Sequence, residues 1–109
     1  MLKCRQVRFY LDPDKVTKIM ARLTAEILPM FEKLPHFRGY LALESDHGTL
    51  REIVISSFWD DGLDDSQEVS DAFVLAVHEM AETNPSRETY DILGALVTDE
   101  VGHLRIELD

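Results

Sequence analysis

The sequence predicts an α+β fold: an antiparallel sheet carrying both helices on one face, in the chain order β-α-β-β-α-β with a further C-terminal strand. Three observations lead there. Residues 4–11 alternate apolar and polar side chains with the period of a strand. Two apolar stripes have helical spacing, from Val16 to Met30 and from Val69 to Met80. The runs between and after those stripes are rich in β-formers and separated by short turns. This order is the split βαβ, or ferredoxin-like, arrangement.

In strand one, Val7, Phe9 and Leu11 share a face, and Cys4, Gln6, Arg8 and Tyr10 share the other. Asp12-Pro13 then reads as an N-cap followed by proline at the first helical position, where its missing N–H costs nothing. Val16, Ile19, Met20, Leu23, Ile27 and Met30 form one stripe, and Pro29 predicts a kink or a loosened last turn. Pro35-His36-Phe37-Arg38-Gly39 is the turn out of that helix. Strand two is read over Tyr40 to Glu44, a turn over Ser45-Asp46-His47-Gly48 with Gly48 at positive φ, and strand three over Leu50 to Trp59. Strand three alternates Ile53, Ile55, Ser57 and Trp59 against Val54, Ser56 and Phe58, so both faces call for cover. Helix two begins near Asp65, with Glu68 as its capping-box partner, and carries Val69, Ala72, Phe73, Ala76, Val77 and Met80 on one stripe. Val74 and Leu75 lie off that stripe, where a partner protein could dock. Glu88 to Val97 reads as strand four and Val101 to Leu108 as a fifth, which either extends its own sheet or crosses to a partner.

A chain of 109 residues supports one domain, spanning residues 1–109. The net charge of −10 argues against nucleic-acid phosphates and anionic membrane surfaces as partners. A single cysteine, Cys4, allows no intramolecular disulfide and no cysteine metal cluster. With no apolar leader and no segment of about 20 apolar residues, the expected location is the cytoplasm.

With both helices on one face, the other face presents Val54, Phe58 and, by parity, Tyr10. The simplest cover is a second copy, packed sheet to sheet as a homodimer. The stretches PMFEKLPHFRGYLAL, IVISSFWDD, SDAFVLAVHEM and NPSRETYDI resemble, in order and spacing, the antibiotic biosynthesis monooxygenase superfamily of dimeric α+β barrels, over about Val7 to Val97. Where that family usually has Pro-Gly-Phe, this chain has Pro35-His36-Phe37. Either the turn avoids positive φ or His36 carries strain.

The resemblance implies a pocket between sheet and helices with Trp59 toward it. Val7, Phe9, Ser57, Met20, Leu23, Phe73 and Val77 would line the rest, and the plain alternative is that all of these are core. It also implies oxygenation of a small aromatic or polyketide-like phenol without a cofactor. Trp59 would stack on the substrate, Phe73 and Met20 would shape the cavity, and His36, whose type titrates near neutrality, would handle the proton. A second reading is a non-catalytic dimer that binds a small hydrophobic or aromatic molecule or another protein. An enclosed cavity of about 300 Å³ beside Trp59 would favour the enzyme, and a filled core the binder. The haem-degrading branch uses an Asn on strand one, the tryptophan ending strand three and a His on helix two. Here Val7 and Val77 stand at the first and last of these positions, and His78 points about 160° from the centre of the stripe. His47 and His103 read as solvated. Asp60, Asp61, Asp64 and Asp65 lack the ligand pattern of a calcium loop and read as a solvated loop before a helix, so no metal is assigned.

Overall fold

Alternation places Val7, Phe9 and Leu11 on one side of strand β1 (Lys3–Leu11), and all three are buried there. This is a computed structural model, describing residues 2–60 and 67–94, and without the side chains of 67–70. Three further strands complete the described sheet: β2 (Phe37–His47), β3 (Leu50–Trp59) and β4 (Ser86–Asp91). The order is β2-β3-β1-β4 with every neighbouring pair antiparallel. Thus β1 and β2 run parallel with β3 between them, and β3 and β4 run parallel with β1 between them. These are the two interleaved split βαβ units that the periodicities predict.

The first helical rod is not the single kinked helix expected. It opens as a 3-10 turn (Pro13–Lys15), continues as α1 (Val16–Arg22), widens into a π turn (Leu23–Ile27) and ends as α2 (Leu28–Glu32). Pro29 is the cause. It has no N–H to give Ala25, and its ring would crowd that carbonyl. The strain is absorbed one turn upstream, where Leu28 N–H bonds to the Leu23 carbonyl instead of that of Thr24. Asp12 sits at the N-terminal cap but makes no side-chain cap bond. Its carbonyl receives Lys15 N–H at 3.0 Å and its carboxylate lies 3.9 Å from Lys15 Nζ.

Strand β2 is longer than predicted at both ends. The hairpin turn is Gly48-Thr49, since His47 already pairs with Leu50. Gly48 has φ +62°, as expected, and the residues read as turn at 45–47 remain in the ladder. At the other end the ladder slips between Phe37 and Gly39, a bulge that Gly39 accommodates at φ +148°. No described residue other than glycine has positive φ, so His36 carries no backbone strain. Strand four covers Ser86–Asp91 rather than beginning at Glu88, and residues 92–94 are not strand. The expected cap at Asp65, the acidic loop beyond Asp60, the predicted end of strand four at Val97, the fifth strand and His103 lie outside the described residues.

Helix α3 (Gln67–His78) follows the predicted stripe: Phe73, Ala76 and Val77 are buried and His78 is exposed. Leu75 is 65% exposed, but Val74 packs against the core and offers no separate docking residue. The core joins the helix-covered sheet face (Val7, Phe9, Leu11, Ile53, Ile55, Trp59) to Ile19, Leu23, Ile27, Phe31, Phe73, Ala76 and Val77. Fully burying each large apolar side chain is worth roughly 1.5–3 kcal/mol. Arg22 ties the helices together, donating to Glu79 at 2.7 Å and Glu26 at 3.1 Å. No helix among the described residues is long and apolar enough to cross a membrane.

The helix-free face differs from expectation. Val54 and Phe58, expected to need a partner's cover, are only 7% and 8% exposed within one chain. Cys4 and Ser56 on the same face are buried too, and that burial raises the Cys4 thiol pKa, offset in part by its hydrogen bond with Ser56. Among the described residues, the large apolar groups left exposed on this face are Leu43 (50%) and Tyr90 (46%), on the two outer strands.

Candidate functional site

Trp59 ends β3 opposite Phe37 on β2 and Lys3 on β1. Being two residues after Ser57, it shares that residue's face, and its Nε1–H donates to Ser57 Oγ at 2.8 Å. The Ser57 hydroxyl donates in turn to the Arg5 carbonyl oxygen at 3.3 Å. The polar edge of the indole is therefore satisfied inside the core, which its 1% exposure requires. Two phenylalanines meet it, and a third packs behind the first. Phe31 meets the indole edge-on at 5.4 Å, and Phe37 approaches at 5.3 Å with the planes at 64°. Phe31 also stacks on Phe37 at 5.5 Å and on Phe73 at 6.3 Å.

Beside this cluster is a void of about 10 Å³ lined by Arg5, Val7, Phe31, Ile55, Ser57, Trp59 and Phe73. A second void of about 10 Å³ lies under the π turn, lined by Leu23, Ile27, Leu28, Phe31, Tyr40, Ile55 and Phe73. Each has room for about one water molecule. The core next to Trp59 is filled, not hollowed to ligand size. Of the predicted pocket residues, Val7, Ser57, Trp59 and Phe73 meet at the first void. Phe9 and Val77 are wholly buried core and line neither void. Met20 lines a different cavity, of about 160 Å³, with Val16, Ala42, Leu43, Glu44 and Ile53. A larger depression of about 300 Å³ lies on the helix-free face among Gln6, Arg8, Leu43, Glu44, Ser45, Glu52 and Val54.

Arg5 is the wall residue missed in the sequence. Its signal was parity: positions 5, 7, 9 and 11 share a face, so an arginine stands in phase with Val7, Phe9 and Leu11. A guanidinium is charged at every working pH, so this wall carries a fixed cation among aromatic rings.

His36 does not line either void. It forms a separate charged cluster at the adjoining sheet end, with Nδ1 hydrogen-bonded to Asp60 Oδ1. Asp60 Oδ2 accepts from Arg38 Nη2 at 3.0 Å, and Asp60 N–H donates to the His36 carbonyl at 3.1 Å. The carboxylate thus orients the imidazole through Nδ1. Desolvation pushes the Asp60 pKa up, but the hydrogen bonds and charges of His36 and Arg38 outweigh it and hold the carboxyl below its ordinary value. The Asp60 partnership, like Arg5, was absent from the sequence reading, because only the strand pairing brings residues 36 and 60 together. His47 packs against Tyr10 with ring centroids 4.4 Å apart. Among the described residues no three His, Cys, Asp or Glu side chains cluster as a metal site.

The element order, the antiparallel 2-3-1-4 sheet and the helices on one face define a ferredoxin-like α+β domain. Solved structures share it. A Mycobacterium tuberculosis protein has a TM-score of 0.65 at 19% identity, over 89% of this chain and 100% of its own. A monooxygenase of Streptomyces coelicolor, solved in complex with nanaomycin D, has 0.66 at 15% identity, over 88% and 91%. A de novo designed protein has 0.62 at 11% identity, over 83% and 94%. Others with this fold are described as antibiotic biosynthesis monooxygenases. No family model and no curated protein matches the chain. The likeness is one of fold, and the fold carries no reaction by itself.

Because its folded pKa is lowered, Asp60 contributes stability above the ordinary carboxylate pKa of about 3.9 and loses it as pH falls through the lower folded value. Urea titrations of parent and Asp60→Asn across the acid range are expected to differ fully above about pH 5. The difference shrinks on further acidification. A pH-independent difference would contradict the ionic role of Asp60.

Proposed function

We propose that the protein belongs to the antibiotic biosynthesis monooxygenase superfamily and oxygenates a small aromatic or polyketide-like phenol without a resident cofactor. The observation that carries this reading is the helix-side wall of Trp59, Phe31 and Phe73 beside Arg5 and Ser57, at the place where the family resemblance puts a substrate. Its support from outside the chain is the shared fold of the monooxygenases above. In the proposed reaction a ring CH₂ loses a proton to a base, and the carbanion gives an electron to dioxygen. One oxygen atom ends as the new carbonyl and the other as water. The chain's part is to bind, orient and keep out water. The proton passes to His36, held through Nδ1 by Asp60 at the adjoining sheet end, from a substrate long enough to extend out of the void.

A second reading, a non-catalytic binding domain, is favoured by the filled core, since a void of about 10 Å³ admits no ring without rearrangement. Oxygen consumption with an anthrone-type substrate separates the two. The oxygenase reading expects uptake above buffer that falls roughly 100-fold in His36→Ala. Binding without any uptake favours the second reading.

In either case the protein acts as a homodimer joined through the helix-free sheet face. Leu43 and Tyr90 are its exposed apolar groups, and the hollow lined by Gln6, Arg8 and Glu52 supplies polar partners. Sedimentation at micromolar concentration is expected to give a dimer that Leu43→Asp shifts toward monomer. A parent that sediments as a monomer would refute it.

A further inference from the structure

Pro29 leaves its mark on the core as well as on the backbone. The ladder upstream of it becomes a π turn, in which the Leu28 N–H reaches past one turn to the Leu23 carbonyl. A π turn is wider than an α turn, so the side chains of Leu23, Ile27 and Leu28 spread apart where an α-helix would stack them. The void of about 10 Å³ beneath them is the consequence, closed on its other sides by Phe31, Tyr40, Ile55 and Phe73.

Its walls differ in chemistry from those beside Trp59. Their side chains are hydrocarbon throughout apart from the Tyr40 hydroxyl, whereas Arg5, Ser57 and Trp59 bring N–H and O–H groups to the other void. They also have a direction. Leu28 and Tyr40 are half-buried, and the other five are buried. The void therefore has an outer side at Leu28 and Tyr40, and an inner side at Phe31, Ile55 and Phe73, which it shares with the void beside Trp59. A resident water needs about two to four hydrogen-bond partners, which these walls do not supply. A small apolar molecule needs none and gains by leaving water. Room for about one water is room for a diatomic gas, and it excludes anything with a ring.

We propose that the void under the π turn is a holding site for dioxygen, entered between Leu28 and Tyr40 and emptied past Phe31 toward Trp59. The site rests on the oxygenase reading under Proposed function and adds the place where the second substrate of that reaction waits. Dioxygen is uncharged and apolar, so it partitions from water into hydrocarbon and asks for no hydrogen bond. The walls that admit it disfavour a polar molecule, so it reaches the carbanion without water following.

Dioxygen is paramagnetic and speeds the relaxation of methyl groups that it approaches. Ile27 and Ile55 line the void, while Ile19 and Val77 are as deeply buried and line neither void. In the methyl-labelled parent chain under oxygen pressure, Ile27 and Ile55 are expected to show about three times the enhancement of Ile19 and Val77. That measurement needs neither a substrate nor a variant. Leu28→Phe narrows the mouth from a half-buried position and is expected to bring Ile27 down to the level of Ile19. With an anthrone-type substrate, the same variant is expected to raise KM for dioxygen roughly fivefold and leave KM for the organic substrate unchanged. Equal enhancement at all four residues overturns the holding site and leaves the oxygenase reading standing. A long-lived water that cross-relaxes with the Ile27 methyls overturns it too. An unchanged KM for dioxygen in folded Leu28→Phe overturns the entry between Leu28 and Tyr40. Enhancement at Ile27 and Ile55 in a chain that consumes no oxygen overturns the co-substrate role together with the oxygenase reading.

Discussion

Strand β3 is dry on both faces from Ile53 to Trp59, and the rest of the molecule is arranged around that constraint. A strand buried on both sides cannot slip. A shift of one residue would put Phe58 where Trp59 sits and leave a serine in an apolar position. With the register pinned, Ser57 falls beneath the indole and also reaches Arg5 across the ladder. Ser56, on the reverse face, accepts from Gln6 Nε2 at 3.2 Å. The two buried hydroxyls are thus each satisfied by the neighbouring strand, which is what makes polar residues tolerable at the centre of the sheet.

The helical layer is held differently. Its apolar stripe is well buried, but its polar fastenings are exposed: Arg22 with Glu79 and Glu26, and Lys15 with Glu82 at 3.5 Å. Arg22 holds the Glu79 carboxyl below its ordinary pKa through a hydrogen bond and its charge, yet exposed pairs of this kind add little stability. The layer therefore has its most regular support at α1 and α3 and its least regular at the π turn and α2. A pinned sheet facing a partly irregular helical layer gives the Trp59 side one regular wall and one irregular wall.

The parts of this design that depend on local periodicity were legible in the sequence. The alternation in β1 and β3 and the stripes around Val16 and Phe73 identified the core face, the topology and the outward direction of His78. What was not legible depends on tertiary accommodation. Pro29 announced a disturbance, but whether it would appear as a kink or as a π turn upstream depends on how the Leu23 and Ile27 side chains pack. The ends of β2 were extended by pairing with β3 through His47 and Phe37, beyond what the apolar pattern alone marks. Arg5 was readable by parity, whereas the ionic contact of His36 with Asp60 follows from pairing two distant segments. Cavity size was the least legible property, because a few side-chain torsions separate a filled core from a pocket.

The buried indole is anchored to Ser57, and hydrogen exchange at that one N–H measures the anchor directly. An anchored Trp59 predicts exchange slowed about 1,000-fold or more relative to a free indole, since release requires a rare opening of the core. Exchange at the free-indole rate would show Trp59 in contact with solvent, contradicting the anchor.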